Sequence, residues 1–429
     1  MEMKVKYGLG YNEVLKKKLK KQKKPARPGF FWSTLIRVLS IPDLKATHFK
    51  VEKKGMERLG KKEPCLILMN HSSFIDLKIV NKIFYPRKYN IVTTGDGFIG
   101  REWLMRGIGC IPTKKFVAEV GLLHDMLYCV HRYNSSILMY PEASYTFDGT
   151  ATPLPESLGR CIKMLNIPVV VILTNGAFAR DPLYNNLQLR EVDVSATVEY
   201  LLSPDEIKEK TSREINELLR EKFSFDNFQW QKENGVEIDE PFRADYLNRV
   251  LYKCPHCKAE GKTEGKGINL TCHACGKKYE LCTDGSMKAT EGETEFSHIP
   301  DWYRWERECV KEEILDDSYK LDVEVDIHVM VDTECIYSVG EGRLTHTREG
   351  FRLLSADGEI DYSQKPLSSY SLYSDYYWYK MGDMICIGDK NVLYYCFPKN
   401  CGDVVAKTRL ATEELYKIVR AEKRSSKEE

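Results

Sequence analysis

The chain has 429 residues, 42% of them apolar, with 64 Lys and Arg against 63 Asp and Glu, so its formal net charge is +1. That length suggests two to four domains, and near-neutrality excludes a chain whose whole surface attracts nucleic acid. No uninterrupted apolar run reaches the ~18 residues of a membrane-spanning helix, which leaves peripheral contact as the expected membrane chemistry.

The 14 cysteines bear on the compartment. Met1-Glu2-Met3-Lys4 opens without the apolar segment of a secretory signal, and Cys65, Cys110, Cys129 and Cys161 are scattered singly, as reduced thiols of a cytoplasmic protein are. Residues 1–45 read as an attachment segment. The run Lys16, Lys17, Lys18, Lys20, Lys21, Lys23 and Lys24 precedes an aromatic-rich amphipathic stretch with Phe30, Phe31, Trp32, Leu35, Ile36, Val38 and Leu39. Lysines contribute about 1 kcal/mol each at an anionic surface, and aromatics settle at the interface. This predicts a peripheral protein on the inner face of the membrane. The alternative is a helix packed on the next domain. Nucleic-acid binding by the lysines is the weaker third reading.

Residues 46–245 read as an α/β domain, a mixed sheet covered by helices. Short apolar runs at 65–69, 90–93, 137–140, 169–173 and 192–200 alternate with helical patterns at 117–133 and 205–222. The first run ends in Asn70-His71-Ser72-Ser73-Phe74-Ile75-Asp76. A buried strand followed by turn and cap formers places His71 on a strand-to-helix turn and Asp76 near the first turns of the helix. Five residues of regular helix would carry Asp76 off the His71 face, so the turn itself must join them. A histidine held by a carboxylate is the pair that takes a proton from a hydroxyl; the same pair also occurs as a purely structural contact.

This box resembles the Asn-His-x4-Asp motif of the glycerolipid acyltransferases, the family that includes lysophosphatidate acyltransferase. Three further blocks follow in the family's order: Gly109-Cys110-Ile111-Pro112-Thr113-Lys114-Lys115, Tyr140-Pro141-Glu142-Ala143-Ser144 and Ile167-Pro168-Val169-Val170-Val171. The resemblance implies that His71 is the general base, oriented by Asp76. It implies an acyl thioester donor (acyl-CoA or acyl-carrier protein) and a lysolipid acceptor, foremost 1-acyl-sn-glycerol-3-phosphate, with no acyl-enzyme. Backbone amides of the turn after His71 would steady the oxyanion, and Lys114, Lys115, Glu142 and Ser144 would hold the acceptor. Ala143-Ser144 stand where the family's third block has Gly-Thr, and two of the family's arginines are also absent. Lys115 replaces the arginine that ends the second block, and Tyr145 replaces that of the third. A lysine binds phosphate as a point charge and not as a fork. Arg160 and Lys163 are further candidate cations. The departures leave open an acceptor without phosphate, or a lipid-binding scaffold that has lost its chemistry.

Residues 246–290 hold Cys254-Pro-His-Cys257 and, separated from it by fourteen residues, Cys272-His-Ala-Cys275. Two such knuckles present four thiolates to one ion, the donor set of a closed structural Zn2+ ribbon; an iron–sulfur site or a redox pair are the alternatives. His256 and His273 are not expected as ligands. Nearby lysines are balanced by Glu260, Glu264 and Glu280, so nucleic-acid binding is not favoured. Residues 291–318 read as a helical connector with a stripe of Trp302, Trp305, Cys309 and Val310 or Ile314. Residues 319–422 read as seven strands, two of them separate at 335–339 and 343–347, closed by a helix over 403–420, similar to a pleckstrin-homology-like domain, with Tyr370, Tyr373, Tyr376, Tyr377 and Tyr379 as a candidate groove. Residues 423–429 read as a disordered tail.

Overall fold

The computed structural model describes residues 3–17, 23–117 and 120–428. It divides into two compact units. The chain begins with strand β1 (Val5–Lys6) and helix α1 (Tyr11–Leu15), which belong to the second. The α/β unit comprises Lys21–Pro182 and Gln188–Glu233. Its elements run α2 (Phe30–Ala46), β2 (Lys50–Lys54), β3 (Leu66–Met69), α3 (Asp76–Phe84), β4 (Tyr89–Thr94), α4 (Glu102–Gly107), β5 (Cys110–Thr113), α5 (Val120–Tyr133), β6 (Ser136–Met139), α6 (Leu158–Leu165), β7 (Val169–Asn175), α7 (Ala177–Arg180), β8 (Ser195–Leu202), α8 (Pro204–Glu209), α9 (Ser212–Lys222) and α10 (Asn227–Glu233).

The strand order is β2-β8-β7-β3-β6-β4-β5. Strands β3 to β7 are mutually parallel, and β8 runs antiparallel to β7. Central β3 is wholly buried and feeds two cores: Ile67 and Met69 pack with Ile79 and Phe84, while Leu66 and Leu68 pack with Val130, Ile162 and Leu219. Burial on both faces is why a parallel strand reads as one apolar run. The same burial pushes the lone thiols out of the reactive range, Cys65 and Cys161 to about 11, Cys110 and Cys129 to about 12.

The sequence reading missed β2, whose Lys-Val-Glu-Lys-Lys is exposed throughout, and β5. The single helix expected over 205–222 is two. Ser203 with Glu206 and Thr211 with Glu214 each close a capping box, and the second box ends α8 at an extended Lys210. The attachment segment expected over 1–45 does not form one element: its described residues 3–17 fall in the second unit, and α2 lies in the first. Helix α2 packs along α3, with Asn81 Nδ2 donating to the Ser33 carbonyl at 3.1 Å and Arg37 to the Lys82 carbonyl at 3.0 Å. Its other side leaves Phe30, Phe31, Val38, Leu39 and Ile41 between 55% and 67% exposed. Lys18, Lys20 and Lys21 lie outside the described residues. No helix among the described residues is long and apolar enough to cross a membrane.

The second unit comprises Met1–Lys20, Leu183–Leu187 and Asn234–Glu429. An antiparallel sheet of order β12-β11-β10-β9 is built from β9 (Thr263–Lys266), β10 (Asn269–Cys272), β11 (Lys278–Leu281) and β12 (Met287–Ala289). After α11 (Ile299–Leu315) come β13 (Leu321–Met330), β14 (Ile336–Thr347), β15 (Gly350–Ser355), β16 (Asp361–Gln364), β17 (Tyr373–Trp378), β18 (Gly382–Gly388), β19 (Leu393–Lys399) and α12 (Val405–Glu428). Their order is β16-β15-β14-β13-β19-β18-β17, antiparallel at each step, with β1 added parallel to β14.

Four expectations change here. The strands expected at 335–339 and 343–347 are one. Gly342 is required within β14, because a Cβ there would meet the Leu354 carbonyl oxygen at 2.3 Å. The buried stripe of α11 takes in Tyr303 and Glu306, while Trp305 and Cys309 are half-buried. Glu306 turns inward because its Oε1 accepts the Lys253 amide at 2.8 Å, and burial pushes its carboxyl well above the usual range. Tyr373 and Tyr376 are buried packing residues and line no groove: Trp378 Nε1 donates to Tyr373 at 3.0 Å, and Tyr376 donates to the Arg249 carbonyl at 2.6 Å. The tail expected to be disordered continues α12 to Glu428.

Candidate active site and metal centre

The first three blocks lie at the carboxyl ends of the parallel strands β3, β5 and β6, while the fourth opens β7, whose far end lies beside that of β3. The carboxyl ends of β3, β5, β6 and β7 lie at one edge of the sheet, the edge where open α/β sheets place ligands. Asn70 pins the turn after β3. Its Oδ1 accepts the Thr174 amide of β7 at 2.9 Å, and its Nδ2 donates to Ser72 Oγ at 3.1 Å. Helix α3 begins only at Asp76, so residues 70–75 form the connecting turn.

His71 and Asp76 meet as expected: Nδ1 lies 3.0 Å from Asp76 Oδ2. The side chains are 19% and 2% exposed. A carboxylate only accepts, so Nδ1 carries the hydrogen and Nε2 keeps its lone pair. The same Oδ2 accepts the amides of Ser72 at 3.1 Å and Ser73 at 3.2 Å. Those amides are therefore engaged with Asp76 and are not aimed at an oxyanion, contrary to expectation. Asp76 Oδ1 is buried with no hydrogen-bond partner among the described residues. Burial holds the His71 pKa below its ordinary value; Asp76 opposes that shift and the Lys115 charge reinforces it. The net shift favours the neutral imidazole.

A second buried carboxylate, which sequence reasoning missed, supports the turn from behind. Ser73 Oγ donates to Asp181 Oδ1 and accepts the Ile75 amide at 3.3 Å. Arg180 bonds the other Asp181 oxygen at 3.1 Å. Burial pushes Asp181 up to about 7 against the lowering effects of Ser73 and Arg180. Nothing in the local sequence distinguishes Asp181 from a surface residue.

Glu142 is buried and serves the backbone. Its Oε2 accepts the His71 amide at 3.1 Å, and its Oε1 accepts the amide and hydroxyl of Thr152 at 2.8 and 3.1 Å. Ser144 is buried with its hydroxyl 3.3 Å from the Tyr145 carbonyl. Lys114 and Lys115 are half-buried beyond the end of β5. The block's Gly109 sits at φ +90°, where a Cβ would meet Pro28 at 2.7 Å. Lys163 is not available as an acceptor cation: its Nζ donates to the carbonyls of Ile207 at 3.1 Å, Lys208 at 3.3 Å and Lys210. Arg160 is exposed on α6. Two rings stack on His71, Tyr140 at 4.2 Å and 28° and Tyr145 at 4.0 Å and 25°.

In the second unit the sulfurs of Cys254, Cys257, Cys272 and Cys275 all lie within 4.8 Å of one another. Cys254 and Cys275 are 3.8 Å apart, Cys257 and Cys272 3.7 Å. Four thiolates about 2.3 Å from one zinc ion would stand about 3.8 Å apart, so the cluster fits that ion. Each knuckle turns through a left-handed residue, Lys258 (φ 62°) and Gly276 (φ 76°), whose amide donates to the first cysteine's carbonyl at 2.8 Å. His256 and His273 turn away to Glu295 at 3.1 Å and Glu264 at 2.8 Å.

None of the curated proteins matches the chain. Among solved structures, the 1-acyl-sn-glycerophosphate acyltransferase PlsC from Thermotoga maritima is similar at 14% identity and a TM-score of 0.37, covering 44% of this chain and 76% of that one. Residues 50–174 match the model of the Acyltransferase family. The α/β unit therefore carries an acyltransferase-family domain, and His71, Asp76, Lys115 and Glu142 all fall inside the matched stretch.

Proposed function

We propose that the α/β unit transfers a fatty acyl group from an acyl thioester, acyl-CoA or acyl-carrier protein, to a hydroxyl of a lysolipid. The observation that carries this reading is the His71–Asp76 contact at 3.0 Å, with the Nε2 lone pair directed away from it. Nε2 removes the hydroxyl proton as the oxygen attacks the thioester carbonyl. The tetrahedral intermediate collapses, the C–S bond breaks, and the leaving thiolate takes the proton back from the imidazolium. The products are an ester and a free thiol. Asp76 stabilises the imidazolium that forms in between, and Glu142 fixes the backbone on which His71 rides.

The acceptor we favour is 1-acyl-sn-glycerol-3-phosphate, with Lys114 and Lys115 as its phosphate-facing cations. The apolar face of α2 supports peripheral attachment to an anionic membrane on its cytoplasmic side. We read the four cysteines as a structural Zn2+ site, which would tie the two knuckles into the β9–β12 sheet and supply no chemistry to the acyl transfer. The strand order of residues 319–422 and the closing α12 support the pleckstrin-homology-like reading of that region.

Thiol release from acyl-CoA by the purified protein, over a panel of lysophospholipids and monoacylglycerol, tests the reaction. Wild type should turn over at least one acceptor, and His71→Ala should lose roughly 10²–10⁴-fold. Equal product from both proteins would sink the proposal.

A further inference from the structure

We infer that Tyr140 and Tyr145 form an aromatic clamp on the His71 imidazole, and that Tyr145, standing where the family places an arginine, is a positioning residue for the base. The inference deepens the proposed acyl transfer and rests on it only for its kinetic part.

Both tyrosine rings lie nearly parallel to the imidazole at about van der Waals separation. Two rings at that distance cannot share one face of a five-membered ring, so they occupy opposite faces. The peptide between them makes this possible. Ala143 adopts φ +57°, and its amide closes a turn onto the Tyr140 carbonyl at 3.0 Å. The chain thus doubles back round the imidazole, while Glu142, midway along the turn, holds the His71 amide. With both faces covered and Nδ1 held by Asp76, the edge bearing Nε2 is the approach left to an acceptor hydroxyl. The outer jaw is Tyr145, half-buried, with Phe74 packed edge-on against it at 5.9 Å and itself exposed.

The clamp acts in two ways. It removes water from the imidazole faces, which favours the neutral base. It also sets two π faces against the ring at the moment it becomes a cation, when electrostatic attraction to those faces is greatest. An arginine at 145 would bring a like charge to the imidazolium. The other groups that bear on His71 are Asp76, which raises its proton affinity, Lys115, which lowers it, and Glu142 at its amide.

The test uses the full-length protein with labelled histidine. The His71 ring is titrated by NMR, and kcat is measured against pH, in wild type, Tyr145→Phe, Tyr145→Leu and Tyr145→Ala. Phe keeps the jaw and should match wild type. Ala opens one face to water: the His71 pKa should rise toward its ordinary value, the acid limb of kcat should move to higher pH with it, and kcat should fall about tenfold or more with the donor KM unchanged. Leu keeps the bulk and the fold without the π face; it should lose kcat, and the His71 pKa should fall slightly rather than rise. The inference is overturned if Ala and Leu titrate and turn over like wild type, or if Phe is as impaired as Ala. If wild type acylates no acceptor, the acyl-transfer reading fails, and the titration alone still decides whether the clamp exists.

Discussion

Asp76→Asn isolates the charge of the carboxylate from its shape. The amide oxygen can still accept His71 Nδ1–H and the Ser72 and Ser73 amides, so the turn should persist. What disappears is the negative charge beside the imidazolium. A unit charge pair at ~4 Å in an environment of effective dielectric ~20 is worth about 4 kcal/mol. Part of that is recovered by the amide dipole, so kcat should fall roughly 10²–10³-fold. Asp76 also raises the His71 pKa against the effect of burial. Its neutralisation should therefore move the acid limb of kcat to lower pH while the plateau drops. The assay is thiol release from acyl-CoA across pH, with circular dichroism to confirm the fold. A variant within about fivefold of wild type, beside an inactive His71→Ala, would refute the claim that Asp76 stabilises a charged His71.

Metal analysis of the purified protein should find one zinc per chain, and Cys272→Ser should lose it together with a fall in the thermal midpoint, since such ions contribute about 10 kcal/mol or more to small folds; retention of full metal by that variant would remove the assignment. His346, buried in β14 and stacked on Phe351 at 3.8 Å, has its pKa lowered by burial to about 3. The unfolded chain protonates first, near pH 6.5, so stability should fall as pH drops from about 6.5 toward 3. His346→Gln should flatten that limb of Tm against pH, and an unchanged slope would count against it. Phe31→Asp with Leu39→Asp should weaken sedimentation with anionic vesicles about tenfold or more, because each side chain would otherwise bury ~1.5–3 kcal/mol of apolar surface; unchanged binding would move the attachment site elsewhere.

Local chemistry was legible in the sequence wherever neighbours in the chain are also neighbours in space. The apolar run of β3, the turn formers after it and the His71–Asp76 spacing suffice to predict the pair, because a strand-to-helix turn closes within six residues. The two Cys-x2-Cys knuckles predict their own cluster for the same reason. The helix break at Lys210 was also present, in the two capping boxes, but the shared apolar stripe masked it. Polar edge strand β2 gave no signal, since its pairing with β8 depends on backbone groups alone.

What only the tertiary structure decided are the partners that the sheet brings from afar. Parallel strands place their carboxyl ends side by side, so β7 delivers Thr174 to Asn70, and the turn after β6 delivers Glu142 to the His71 amide and two rings to its faces. In the sequence Glu142 reads as an acceptor ligand and Tyr145 as a lost arginine. In the fold one is a backbone clasp and the other a ring on the His71 imidazole, because the direction of a side chain after a strand is set by the turn that follows it, here through the left-handed Ala143.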